Sequence, residues 1–104
     1  MSRLTASEIA RAARESRLPS ERLSPALRVM WLAAAGQWDR AHEECQQLPR
    51  PWAEWIHAHL HRQEGDLGNA AYWYQRAGKK MPKPSISIEA EWLHLTELLL
   101  SGEE

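Results

Sequence analysis

Apolar residues along this chain recur in steps of three and four, the period of an α-helix laid against a core. Trp38, Ala41, Cys45 and Leu48 follow at 3, 4 and 3, and Ile88, Trp92, Leu95 and Leu99 at 4, 3 and 4. Ala53, Ile56 and Leu60 make a shorter aliphatic stripe, and Leu67, Ala70, Ala71, Tyr74 and Ala77 share one helical face. Strand signals are missing, because there is a single Val and no alternating Val/Ile/Thr/Tyr run. The pattern predicts an all-α fold of five or six short helices in antiparallel helical hairpins, closed by a C-terminal capping helix.

Punctuation residues set the expected boundaries. Thr5-Ala-Ser-Glu8 has capping-box spacing and opens a first helix over about 5–17, with Pro19 as its stop. Its apolar face (Ile9, Ala12, Ala13) is thin, so weak docking is expected. Ser24 and Pro25 open a second helix, since proline at the first turn loses no amide that a helix would use. Gly36 stops it. The third helix carries Trp38 to Leu48. Pro51 opens a fourth from Trp52 to Glu64, and Gly65 ends that helix before Asp66 caps a fifth, which stops at Gly78. Pro82 and Pro84 interrupt a basic linker, and a sixth helix spans about 87–100.

With 104 residues, 43% of them hydrophobic and 26% charged, the chain suits one globular domain over 1–104. Phe is absent and six Trp are present, more than so small an interior needs. Net charge is −1, which offers no field to attract nucleic acid. The charge is uneven: 1–28 holds six Arg against three Glu, and 89–104 holds five Glu without Lys or Arg. The two ends are expected to neutralise each other within the fold or across an oligomer. The lone Cys45 excludes an intrachain disulfide and, on an apolar face, reads as a buried inert thiol. The N-terminus has no hydrophobic signal region, and no run of about 18 apolar residues occurs. A cytoplasmic protein that does not contact membrane is expected.

An internal repeat organises the middle of the chain. With an offset of 29, Gly36 falls on Gly65, Ala41 on Ala70, Cys45 on Tyr74 and Leu48 on Ala77. Gly65-Asp66, Ala70, Tyr74, Ala77 and Pro82 stand at the Gly, Asp, Ala, aromatic, Ala and Pro positions of the tetratricopeptide repeat family, which this chain resembles. The match is best for the hairpin 51–78 and degenerate for 24–48, where only Gly36, Trp38 and Ala41 match well, and the offset is shorter than the family's usual 34 residues, with the shortening placed at Leu48-Pro-Arg-Pro51. The chain also resembles a group of small bacterial proteins sharing Trp38-Asp-x-Ala-His42, His57-Ala-x-Leu-His-Arg-x-Glu-Gly-Asp and Asn69-Ala-x-Tyr-Trp-Tyr-x-Arg-Ala-Gly78. That likeness implies a shared fold and no particular chemistry.

The tetratricopeptide resemblance implies a concave groove lined by one face of each first helix. Carried onto this sequence, one wall is Trp52, Trp55, His59, Arg62 and Gln63, and the other Leu23, Ala26, Met30, Ala33 and Ala34. Trp and Arg are enriched at binding hot spots, and a guanidinium can seat a carboxylate bidentately. The expected function is thus a non-enzymatic interaction module. It would bind a protein or peptide segment through Trp52, Trp55, His59 and Arg62, or use that face to form a homodimer.

The alternative is a small-molecule or metal site, with or without catalysis. His57 and His61 are four apart and share a helix face, and Glu64 follows three later. Such spacing can ligate a metal, but the third ligand would be His42 or His94, which sequence cannot place. The His-Glu-x-x-His pattern of zinc proteases is absent. Both imidazoles also fall where the family packs helix on helix, so a structural pair bonded to Tyr72 or Asn69 is the simpler reading, and no metal or cofactor is expected. Tyr72, Trp73 and Tyr74 cannot all face inward, since successive residues turn by about 100°. His57, His61, Tyr72 and Trp73 are the candidate ligand residues. Asp66 reads as a helix cap, and no catalytic triad, phosphate loop or cysteine pair is found, so no catalytic residue is assigned.

Overall fold

The structure is a computed structural model and describes residues 4–15 and 23–102. Six helices follow in order: α1 (Ala6–Arg14), α2 (Pro25–Ala34), α3 (Trp38–Cys45), α4 (Trp52–Gln63), α5 (Leu67–Ala77) and α6 (Ile88–Leu100). The described residues form no strand. The fold is all-α, as the periodicity predicts.

Four of the six helices, α1, α2, α5 and α6, start at a residue whose side chain caps them, while α3 and α4 have no side-chain cap bond. Thr5 and Glu8 close a reciprocal box on α1, with Glu8 N–H donating to Thr5 Oγ1 at 3.1 Å and Thr5 N–H to Glu8 Oε1 at 2.8 Å. Ser24, Asp66 and Ser87 accept from backbone amides at the starts of α2, α5 and α6. These bonds satisfy donors that the first helical turn leaves free. The last residues expected for the first helix, and the stop at Pro19, lie outside the described residues.

The α4–α5 connection fixes the candidate site and, like the α2–α3 connection, is three residues long. Asp66 N–H donates to His61 O at 2.9 Å and Gly65 N–H to Arg62 O at 3.1 Å, the paired bonds of a Schellman ending. Gly65 sits at φ +88°, a conformation a side chain disfavours, and that is why glycine ends this helix. Asp66 at once caps the next helix, so three residues turn the chain and α5 packs along α4.

The core lies where α1, α2, α4 and α6 meet. Ile9, Val29, Met30, Leu32, Ile56, Leu60, Leu95 and Leu99 are all fully or almost fully buried there. The thin face of α1 is nevertheless docked, with Ala6, Ile9 and Ala13 buried against α2 and α6. Indole N–H groups tie helices together: Trp92 Nε1 donates to Met30 O at 2.8 Å, holding α6 on α2, and Trp38 Nε1 to Leu60 O at 2.7 Å, holding α3 on α4. The α5 face is narrower than the sequence suggests. Ala70 and Tyr74 are buried, but Leu67 is 56% exposed and Ala71 lies on the surface. Ile88 is likewise exposed at the start of α6, while Trp92, Leu95 and Leu99 are buried.

Candidate functional site

Helix α4 is buried on nearly every side. His57, His59, His61 and Arg62 are all under 9% exposed, although each is polar. The helix turns about 100° per residue, so His57 and His61 share one face and His59 points the other way. The run His57-Ala-His-Leu-His61 therefore feeds two separate polar clusters.

The first cluster faces α3 and α5. His42, on α3, reaches across to α4, and its Nε2 lies 2.8 Å from His57 Nε2. The His57 and His61 rings stack with centroids 4.8 Å apart, and His42 meets them edge-on at 4.5 and 5.3 Å. Indoles flank the group: Trp38 stacks on His42 at 4.8 Å, and Trp73, from α5, on His57 at 4.0 Å. One nitrogen from each of His42, His57 and His61 lies within 4.8 Å of the other two. Glu64 accepts from His61 Nδ1 at 2.8 Å. That bond makes His61 Nδ1 the donor and holds its ring against His42 and His57.

The electrostatics favour uncharged imidazoles. Burial, then the neighbouring His42 and His61, pushes His57 down to about 4. Burial and His61 also lower His42, against a smaller upward pull from Glu64 and Asp39. At neutral pH these two rings are uncharged, each with one N–H and one lone pair, and in their 2.8 Å contact one Nε2 donates to the other; the uncharged ring is the form that ligates metal. His61, Glu64 and Asp66 also approach one another, but Glu64 is engaged with His61 and Asp66 with the start of α5.

The second cluster faces α6 and is centred on Glu91, which is 5% exposed. Its carboxylate accepts from His59 Nδ1 at 2.7 Å, from Arg62 Nη1 at 3.1 Å and from the Tyr74 hydroxyl. Arg62 also donates to the carbonyls of Ile86 and Ser87, binding the linker to α4. Burial pushes Glu91 upward, but the bond and charge of His59, with the bonds from Tyr74 and Arg62, outweigh it and hold the carboxyl below its ordinary range. Burial, and after it the same carboxylate, drives the Tyr74 hydroxyl upward, so it stays a donor.

These positions overturn the open groove. Trp52, His59 and Arg62 are buried, Gln63 and Trp55 are half-buried, and Trp55 is stacked on Trp52 at 5.1 Å with Lys79 Nζ 4.4 Å from its ring. The physical reason is Glu91: α6 lies across this face of α4 and carries a carboxylate to the guanidinium that was expected to meet a partner. The predicted ligand set also divides. His57, His61 and Trp73 come together, but Tyr72 is 52% exposed and meets Trp73 only edge-on. The expected bonds from the histidine pair to Tyr72 or Asn69 are replaced, since Asn69 bonds Asp66 and the pair turns to His42 and Glu64. His94 is exposed on α6 and takes no part. Of the charged ends, Arg28 pairs with Glu44 at 2.7 Å and Glu91 with Arg62 at 3.1 Å, while Arg3, Arg17, Glu21, Arg22, Glu103 and Glu104 lie outside the described residues.

Glu91 is the residue that sequence reasoning missed. A signal was present: it precedes Leu95 by four, so an acid sits at the spacing of the apolar stripe. No protein-family model, curated protein or solved structure matches this chain.

Proposed function

We propose that this protein binds a divalent transition-metal ion through His42, His57 and His61. The observation that carries this reading is the third imidazole: α3 delivers His42 to the pair on α4, and the three ring nitrogens converge. Three neutral imidazoles suit Zn²⁺, Cu²⁺, Ni²⁺ or Co²⁺, and three protein ligands leave a position for water or a further ligand. Glu64 on His61 Nδ1 is the carboxylate–histidine support that metal ligands commonly have. The flanking indoles of Trp38 and Trp73 restrict how the rings can turn. In this reading α2–α3 and α4–α5 form a tetratricopeptide-like frame whose short Gly65–Asp66 turn holds His61 and Glu64 in place. The interaction role expected at Trp52, Trp55, His59 and Arg62 has lost its open face and is the weaker alternative.

The test is calorimetric titration of Zn²⁺ into tag-free, chelator-treated protein, with Co²⁺ absorption to report the ligand field. One ion per chain is expected, with binding lost in His42→Ala and weakened roughly 10- to 100-fold in Glu64→Gln. Absence of stoichiometric binding by folded protein, or binding unchanged by His42→Ala, refutes the proposal.

A further inference from the structure

The linker between α5 and α6 carries a surface of its own. Of the five large hydrophobic side chains exposed among the described residues, three meet here: Leu67 at 56%, Ile86 at 44% and Ile88 at 37%. With Met81 and Pro84 they line one hollow of about 340 Å³. A second hollow of about 250 Å³ adjoins it, since Pro82 and Ile86 wall both, and the half-buried Trp55 gives it an aromatic wall. Exposed apolar groups gathered in one place, rather than scattered singly, mark a contact site.

Charge says what fits. Every lysine of the chain stands in this linker, at 79, 80 and 83, in a protein whose net charge is −1. All three are exposed, and none meets a carboxylate among the described residues; Lys79 and Lys80 line the second hollow, with Lys79 Nζ 4.4 Å from the Trp55 ring. Nearby acids are committed or turned elsewhere. Glu91 is met by Arg62, Asp66 caps α5, and Glu89 lines a different hollow together with Arg14. The amides of Lys80, Met81 and Lys83 donate no bond within the described residues, so an extended chain laid along the linker could pair with them. A bilayer is met by a continuous apolar face lying in its interface. Here the apolar groups wall two hollows, a shape that takes individual side chains.

We propose that this linker is the docking surface for an acidic segment of a partner protein, which places two apolar side chains in the hollows beside Pro82 and Ile86 and its carboxylates against Lys79, Lys80 and Lys83. The surface shares no residue with the histidine triad, so the test is run on chelator-treated protein and its failure leaves the metal reading untouched. A phage-displayed library of random peptides is selected on the full-length chain, and enriched peptides are synthesised, labelled and measured by fluorescence anisotropy. The enriched sequences should be net negative and carry at least two large apolar residues. Lys80→Glu/Lys83→Glu should weaken their binding about tenfold or more, and high salt should weaken it too. Leu67→Ser/Ile86→Ser should weaken it as much, with unchanged circular dichroism, because both side chains are exposed. No enrichment, enrichment of basic or uncharged peptides, or binding undiminished in either folded variant overturns the proposal. So does co-sedimentation with phosphatidylserine–phosphatidylcholine vesicles that Lys80→Glu/Lys83→Glu abolishes, which would make the surface a membrane contact. A dimer in light scattering that Leu67→Ser/Ile86→Ser dissolves would give it to a second copy and equally overturn the proposal. If Leu67→Ser/Ile86→Ser does not fold, the charge-reversed variant and the salt dependence decide.

Discussion

Replacing Glu91 by Ala should be among the most damaging single changes in this chain. The variant removes one acceptor from three buried donors: Arg62 Nη1, His59 Nδ1 and the Tyr74 hydroxyl. Arg62 is 7% exposed, so its charge loses its counterion where water cannot replace it. Breaking one half of a buried ion pair costs about 3–5 kcal/mol. Arg62 keeps its bonds to the Ile86 and Ser87 carbonyls, which places the expected loss toward the lower half of that range. A domain of this length has roughly 5–15 kcal/mol in total, so the midpoint of urea unfolding should fall steeply at an unchanged slope. A loss under about 1 kcal/mol would refute the view that Glu91 neutralises Arg62 in the interior. The double variant Arg62→Met/Glu91→Leu separates charge from packing. It should recover at least half of the loss, because apolar replacement of a buried pair is often neutral or better. A double variant no better than Glu91→Ala would place the cost in side-chain shape rather than in an uncompensated charge.

Two more outcomes follow from the titration behaviour of buried groups. His57 is held near 4 in the fold against 6.5 in a free chain, so the unfolded state takes up the proton first. Stability should therefore fall as pH drops from about 6.5 to 4 and level off below, by at most about 3 kcal/mol from this residue, and His57→Gln should flatten that interval in urea midpoints measured across pH. A midpoint independent of pH over that window would show that the imidazole is not held neutral. Cys45 is fully buried, its thiol donates to Ala53 O at 3.2 Å, and burial followed by the Glu54 charge pushes it up to about 12. Ellman's reagent at pH 8 should label it only in denaturant; rapid labelling of folded protein would contradict this placement.

Helix existence and most boundaries were legible because they depend on local signals. Ser24, Asp66 and Ser87 act within one turn of their own positions, and Gly65 and Gly78 hold positive φ on their own account. Which face of α4 stays open was not legible, because that depends on an element about thirty residues away in sequence. A helix covered on all sides shows no polar stripe to mark its solvent face, and α4 has polar residues on both of its covered faces. Of the side chains read as a binding wall, His59 and Arg62 were instead partners for Glu91, and Trp52 and Trp55 stack on each other. The histidine pair was visible from its spacing of four, but the third imidazole depended on the packing of α3 against α4, set in part by the Trp38–Leu60 bond.

The arrangement of α4 explains why so small a protein buries so many polar groups. Each cluster contains a carboxylate that fixes one nitrogen of a neighbouring imidazole as a donor. Glu91, held anionic, accepts from His59 Nδ1, and Glu64 from His61 Nδ1. Burial, with the neighbouring imidazoles, favours the uncharged forms of His42 and His57. On the α3 side three imidazole nitrogens converge, and the proton that bridges His42 and His57 must leave or move to Nδ1 before both can bind a cation that accepts electron pairs. On the α6 side Glu91 is closed by His59, Arg62 and Tyr74 within the protein. A helix whose polar residues served stability alone would close both clusters in that way; the α3 cluster is held mainly by imidazole against imidazole, and that is the reason to look for an ion there.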